Sequence, residues 1–497
     1  MMWYQDLTSA AGAQSCKPAL VQGDRTVSYG QLFQASEALA ASLERGGLCS
    51  GQTAAMWMPN SIEHAIALLA IARIGAAALV LDPALKADEI ARYDRRAGAV
   101  MLLHEPRDSV AARPPPGAGG QDVPVLAVPS CDVLCLEAGG ALAQTPRPAS
   151  EAHAFLLLSS GTTGPAKIVP KTVAQATGAL RVFSDTLPYN AGDRILGVLP
   201  FCHSFGLFNV LLASLRAGAT LYIERFSPRP TAAAIARHRI TVLPATPFMV
   251  RMLAETDFRT APDFSSVRLA VSAGSALSAA VVRRTREKFG IGVAQSYGTT
   301  ESGPITIARS EDCVDAPGWV GTPYAGVTVE IRDSSGVPLG ADLDGAVVVR
   351  SPANASCYLG DAEKSAATFD GGWVLTGDIG RLSKAGHLFV LGRTKRMINV
   401  AGKKVAPAEV EACLRSHPSV AEALVVADRA PDGGERVKAL VVPAGEASVR
   451  QLQEFCAARL ADFKVPRQIV FVEDLAAGRM GKPTETLPAS DEGRPIA

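Results

Sequence analysis

The sequence predicts an α/β protein of two lobes. The larger N-terminal lobe carries parallel-rich sheets covered by helices plus a small distorted β-barrel, and the smaller C-terminal lobe is α+β. Three observations predict this. Helix and strand signals alternate from the start of the chain, as they do where crossover helices join parallel strands. Between Thr328 and Arg350 the pattern changes to short apolar runs broken by Gly336, Gly340 and Gly345, which suits antiparallel strands in a barrel or sandwich. The chain has 497 residues, more than one ordinary domain holds.

In chain order, Val27-Ser28-Tyr29 opens a helix that runs through Leu43. Ala54 to Trp57 reads as a short strand, Ile62 to Ile74 as a helix and Ala77 to Leu81 as a buried strand. The apolar run from His64 to Leu81 contains Arg73 and Gly75 and ends at Asp82-Pro83, so it is read as buried core and not as a membrane span. From Pro106 to Pro148 the composition shifts to Pro, Gly and Ala, which predicts a surface excursion with one strand at Val123 to Val128. Strands resume at Ala154 to Leu158, Arg194 to Val198, Thr220 to Ile223, Val242 to Leu243, Leu269 to Ser272 and Val293 to Tyr297. A second lobe begins near Arg393. It has helices Ala408 to Arg415 and Ser448 to Ala461, and strands Ala421 to Ala427, Val437 to Val442 and Gln468 to Val472. The polar tail beyond Pro483 is expected to be loosely ordered.

Composition narrows the function classes. A hydrophobic share of 48% with 20% charged residues supplies buried cores and argues against general disorder. Lys and Arg number 49 against 48 Asp and Glu, so no net charge draws the chain to nucleic acid or an anionic membrane. The start, Met1-Met2-Trp3-Tyr4, lacks the order of a signal peptide, which predicts a cytoplasmic protein. The nine cysteines are accordingly read as free thiols, mostly in the core. None has CxxC spacing; Cys131 and Cys135 come nearest to it.

Four segments carry chemistry. Strand Ala154 to Leu158 runs into Ser159-Ser160-Gly161-Thr162-Thr163-Gly164-Pro165-Ala166-Lys167, where hydroxyls and backbone N–H groups can wrap phosphate oxygens beside a lysine. It lacks the GxxxxGK[ST] spacing of a Walker loop, and by composition alone a polar surface turn explains it equally well. Ser296-Tyr297-Gly298-Thr299-Thr300-Glu301 follows another apolar strand. There Glu301 can hold Mg2+ and Thr300 can donate to a phosphate. Thr376-Gly377-Asp378 and Gly392-Arg393 suit ribose hydroxyls. Gly478-Arg479-Met480-Gly481-Lys482 places a lysine in a glycine-flanked loop. Singly, each of these is more often a turn or a solvated surface group; the first two together, at the carboxyl ends of parallel strands, suit a nucleotide crevice.

In this order the segments resemble the superfamily of adenylate-forming enzymes that includes acyl- and aryl-CoA synthetases, nonribosomal-peptide adenylation domains and firefly luciferase. The resemblance spans Val27 to Lys482 and extends through Gly392-Arg393-Thr394-Lys395 to Gly402, Pro407 and Glu409. The loop departs from the usual GxPKG, since Pro165 comes one position early and Ile168 stands where a glycine is common.

The resemblance implies ATP and Mg2+ as cofactors, and two half-reactions. A carboxylate first attacks the α-phosphate to give an acyl-adenylate and pyrophosphate; a thiol, CoA by preference, then displaces AMP. It also implies a lobe of residues 1–394, a mobile lobe of 395–482 hinged at Lys395, and a tail of 483–497. By matching position, Ser159, Ser160, Gly161, Thr162, Thr163, Gly164 and Lys167 would cradle the β- and γ-phosphates. Thr300 would contact the α-phosphate, Glu301 would hold Mg2+, and Asp378 and Arg393 would bind ribose. Gly274, Ser275, Tyr297 and Gly298 would border the nucleotide, and Lys482 would bridge carboxylate and α-phosphate. Position 203 is His where amino-acid-activating members carry FDxS, so a fatty or aryl acid is expected in a pocket of His203, Phe205, Thr246, Gly274 and Tyr297. The alternative is a stand-alone enzyme that loads an amino-acid-like acid onto a carrier protein's phosphopantetheine arm.

Overall fold

The computed structural model describes residues 4–5, 7–8, 14–104, 132–135, 152–159, 166–309, 318–393, 398–400, 403–405, 407–429, 435–460, 462–473 and 475. Two large sheets build the N-terminal part. In the smaller, strands Ala99–His104, Thr53–Trp57, Ala77–Val80 and His153–Ser159 run parallel, with Asp132–Cys135 and Lys167–Thr172 added antiparallel at the edges. In the larger, Pro18–Gln22, Thr220–Ile223, Arg194–Gly197, Val242–Ala245, Leu269–Ala273 and Val293–Thr299 form a parallel run.

Local chemistry explains the ends of the helices that fill the space between. Ser28 caps Tyr29–Arg45 in a reciprocal capping box with Gln31, so the helix starts where the sequence predicts. Helix Ile62–Ile74 is capped by Ser61 and stopped by Gly75, whose φ of 91° only glycine adopts without strain. Nearly all of its residues are buried, which is why it shows an unbroken apolar run in place of an amphipathic stripe. It packs on Tyr29–Arg45, and one core joins both helices to both sheets. Among the described residues no helix is long and apolar enough to cross a membrane.

The antiparallel stretch forms as expected but stays open. Thr328–Arg332, Gly345–Arg350, Trp373–Leu382, Leu388–Arg393, Trp319–Pro323 and Gly303–Ala308 pair in that order and continue directly into the larger sheet. Bulges within these ladders supply the distortion. After Arg393, helices Pro407–Arg415 and Val449–Ala457 cover a sheet of Val420–Arg429, Glu435–Pro443 and Gln468–Phe471. Their apolar faces form a core of their own. An ion pair between Arg251 and Glu422 joins this part to the rest.

Two expectations need correction. Asp132–Cys135 is an edge strand paired with Ala99–His104, inside the stretch read as a surface excursion. A four-residue run does not stand out against a Pro/Gly background. Six cysteines are also less internal than expected: Cys202 and Cys456 are buried, Cys16 and Cys49 are exposed, and Cys357 and Cys413 lie between. The strand expected at Val123 to Val128, Cys131, Lys395, Gly402 and the tail 483–497 lie outside the described residues.

Candidate functional site

Sheet register brings together several of the residues singled out in the sequence. Strands Val242–Ala245, Leu269–Ala273 and Val293–Thr299 are adjacent and parallel, with Ala245 beside Ser272 and Ala273 beside Ser296. Thr246 and Gly274 each come one residue after the last of their strands, and Tyr297 one residue after Ser296, so the three lie near these paired strand ends. Thr246 is buried, and its hydroxyl accepts the Met249 N–H at 3.3 Å to cap helix Pro247–Glu255. Gly274 has a φ of 101°, which restricts the position to glycine, and it lies exposed next to exposed Ser275. His203 and Phe205 follow the neighbouring strand Arg194–Gly197, both half-buried, where a π-helical run Phe205–Leu212 begins.

A second row crosses from the antiparallel strands. Trp373–Leu382 pairs with Leu388–Arg393 so that Asp378 lies opposite Arg393. The buried Asp378 carboxylate accepts the Tyr297 hydroxyl at 2.6 Å through Oδ2 and Arg393 Nε at 3.0 Å through Oδ1. Burial first, then the charge of Asp378, holds the Tyr297 hydroxyl well above its ordinary pKa, so it remains a donor. Asp378 and Arg393, read from the sequence as two separate ribose contacts, are partners in one ion pair.

Glu301 is placed by the strand before it and by a hydrogen bond from Tyr358. Gly298 passes so close to the neighbouring strand that an added Cβ would lie 2.4 Å from the Gly303 carbonyl oxygen, which explains the glycine before Thr299-Thr300-Glu301. The Tyr358 hydroxyl donates to Glu301 Oε1 at 2.8 Å, and Lys167 Nζ sits 4.0 Å from the centre of the same ring. Tyr358 therefore links the lysine of the Ser/Thr/Gly loop to the glutamate of the second segment. Ser160 to Gly164 and Lys482 lie outside the described residues, while Ser159 ends its strand buried and Thr300 is half-buried.

Two residues of this site went unrecognised in the sequence, Tyr358 and Lys171. Lys171 is almost fully buried on the strand after the loop; its ammonium donates to the Glu301 carbonyl at 2.7 Å and the Ala353 carbonyl at 2.5 Å. The available signal was a lone lysine inside the apolar run Ile168 to Thr172. Tyr358 had none, because its place depends on Leu359 N–H docking on the Ile168 carbonyl at 2.9 Å.

Burial lowers the Lys171 pKa to about 7 against a partial opposing pull from Glu301. A folded pKa below the unfolded value of 10.5 means that the unfolded chain holds one more proton between about 7 and 10.5. Stability gains about 1.4 kcal/mol per pH unit as pH rises through that window and is flat below it. Lys171→Met removes this slope and costs about 1–3 kcal/mol by leaving the Ala353 carbonyl without its donor. Denaturant unfolding of both proteins from pH 6.5 to 9.5 reads the difference; parallel curves would reject the assignment.

This mixed α/β architecture brings a carboxylate, a tyrosine and an arginine together where antiparallel strands meet the carboxyl end of a parallel one, the region where open α/β sheets take ligands. The sequence matches the AMP-binding enzyme family over residues 7–359 and the AMP-binding enzyme C-terminal domain over 409–482, and the chain belongs to that family. It is an adenylate-forming enzyme. A 4-coumarate–CoA ligase of Pinus taeda is 31% identical over 494 residues, covering 94% of this chain and 90% of the relative. An indoleacetate–CoA ligase of Aromatoleum aromaticum is 31% identical over 492 residues, covering 95% and 94%. Among solved structures, ATP-bound MatB from Rhodopseudomonas palustris matches with a TM-score of 0.84 at 25% identity, over 97% of each chain.

Proposed function

We propose that this enzyme activates a carboxylic acid, fatty or aryl, with ATP and transfers the acyl group to the thiol of CoA. The single observation that carries the reading is the pair of linked clusters, Asp378 with Tyr297 and Arg393, and Glu301 with Tyr358 and Lys167. One offers a buried carboxylate for the ribose hydroxyls; the other sets a cation and a carboxylate where the Ser/Thr/Gly loop ends.

A carboxylate has a poor leaving group, and adenylation supplies a good one. The acid would lie along the row of strand ends at Thr246, Gly274 and Tyr297, with His203 and Phe205 at its side. With the Thr246 hydroxyl engaged in capping, that residue contributes shape to the pocket. Lys167 and Thr300 would hold phosphate oxygens, and Lys482 would neutralise the charge that builds between carboxylate and α-phosphate. Residues 395–482 would turn as a unit about Lys395 to exchange this arrangement for one that admits the thiol.

The donor set at Glu301 fits Mg2+, a hard cation that takes carboxylate oxygen. Glu301 presents a half-buried carboxylate whose Oε1 is oriented by Tyr358. When bound there, Mg2+ supplies charge neutralisation to the phosphates. Glu301→Gln keeps an acceptor for Tyr358 but loses the charge, so the activation step slows about 10²-fold at fixed Mg2+ and recovers partly as Mg2+ is raised. A rate unchanged at every Mg2+ concentration would remove Glu301 from the metal site.

ATP–pyrophosphate exchange with a panel of fatty, aryl, dicarboxylic and amino acids tests the whole reading. Exchange with fatty or aryl acids is the expected result, and no exchange with any acid would overturn it. Thioester formation with a phosphopantetheinylated carrier but not with CoA would reassign the acceptor.

A further inference from the structure

Among the described residues, Asp82, Cys202 and His203 bring a carboxylate oxygen, a sulfur and an imidazole nitrogen to within 4.8 Å of one another. Neither Asp82 nor Cys202 has a part in the reaction outlined above. The donors come from two sheets. Asp82 follows strand Ala77–Val80, and Cys202-His203 follows Arg194–Gly197, in both cases beyond a carboxyl end.

Both backbones are held. The Asn60 side chain donates to the Leu199 carbonyl at 2.7 Å and accepts the Phe201 N–H at 2.8 Å, and the His203 N–H donates to the Pro200 carbonyl at 3.2 Å. On the other side the Leu81 N–H donates to the Met56 carbonyl at 2.9 Å and the Ala84 N–H to Asp82 Oδ1 at 2.8 Å. Cys202 is buried while Asp82 and His203 are half-buried, so the group is reachable from outside.

The donor chemistry selects the ion. One sulfur, one nitrogen and one oxygen suit a borderline-soft cation and disfavour Mg2+ or Ca2+, which take oxygen. Tetrahedral zinc, with bonds of about 2.0–2.3 Å, needs one oxygen, one nitrogen and one sulfur donor about 3.3–3.6 Å apart, so side-chain movements of roughly 1 Å would close this group on it.

We propose that Asp82, Cys202 and His203 form an open three-donor Zn2+ site at the mouth of the acid pocket. On binding, Zn–O, Zn–N and Zn–S bonds form, the Cys202 S–H bond breaks and its proton passes to the buffer, with no change of oxidation state. The dication takes Cys202 as its thiolate. The fourth position stays open to water or to a carboxylate. Competition between Zn2+ and the acid rests further on His203 lining the acid pocket; Zn2+ binding itself does not.

The test titrates the chelator-treated full-length protein with Co2+ and then Zn2+. The expected result is one Co2+ per chain, bound with release of one proton and a sulfur-to-cobalt charge-transfer band, then displaced by one equivalent of Zn2+ with no further proton release. Cys202→Ser loses the band, and Asp82→Asn and His203→Gln each weaken Zn2+ binding by about tenfold or more while melting cooperatively. If Cys202→Ser does not fold, the other two variants decide. No band in the wild type would overturn the site. So would equal Zn2+ affinity in Asp82→Asn and His203→Gln, which would place the ion at an exposed thiol such as Cys16 or Cys49. Binding without competition against the acid would leave the site standing and move His203 out of the acid pocket.

Discussion

Lys482→Ala lowers ATP–pyrophosphate exchange by about 10²–10³-fold and leaves thioester formation from a supplied acyl-adenylate at the wild-type rate. A positioned donor is worth most where charge develops, and charge develops between carboxylate and α-phosphate only in the first half-reaction. Once the adenylate exists, thiol attack expels AMP and no longer needs a cation bridging those oxygens. On the proposed reading the lysine leaves between the two steps as residues 395–482 turn about Lys395. Arg251 with Glu422 ties the two parts in the orientation described above, and such a half-exposed pair is weak enough to exchange. The measurement uses the two half-reactions separately with the same enzyme preparation. Equal loss of both would reject the division of labour and leave Lys482 as a residue both steps need.

Asp378→Asn weakens ATP binding by about 10²-fold or more with little change in the concentration of acid needed. Asp378 accepts from Tyr297 and Arg393, and hydrogen bonds to a charged group are worth about 1.5–3 kcal/mol each. The amide keeps the shape but turns one acceptor into a donor, which then faces either the Tyr297 hydroxyl or the Arg393 guanidinium. Ribose hydroxyls lose their charged acceptor, and the buried end of the cluster loses a partner. Calorimetric titration with ATP reads the affinity, and KM for the acid is the control. ATP affinity within about threefold of wild type would mean that Asp378 is a structural tie between strands and not a nucleotide contact.

Much of the fold was legible because local rules agree with it. Ser28 with Gln31, Ser61 with Gly75, and the alternating strands and helices each state their element within a few residues. The exceptions are instructive. Asp132–Cys135 is a strand because Ala99–His104 offers it an edge, and nothing in its own four residues says so. The antiparallel strands from Gly303 to Arg393 read correctly as a distorted unit, but they run on into the parallel sheet because Gly303–Ala308 pairs with Val293–Thr299.

The sequence by itself determined the ordered motifs, and with them the kind of chemistry this protein performs. It marks the loop from Ser159, the segment ending at Glu301, Asp378, Arg393 and Lys482, because each stands in a short string and the strings follow one another in the family's order. Only the tertiary structure decided which side chains hold those groups in place. Tyr358 reaches Glu301 across 57 residues of chain, Tyr297 reaches Asp378 across 81 and Lys171 reaches the Glu301 carbonyl across 130. Such contacts leave no local pattern, since they depend on which strand ends meet. The same closure sets Asp82 beside Cys202 and His203.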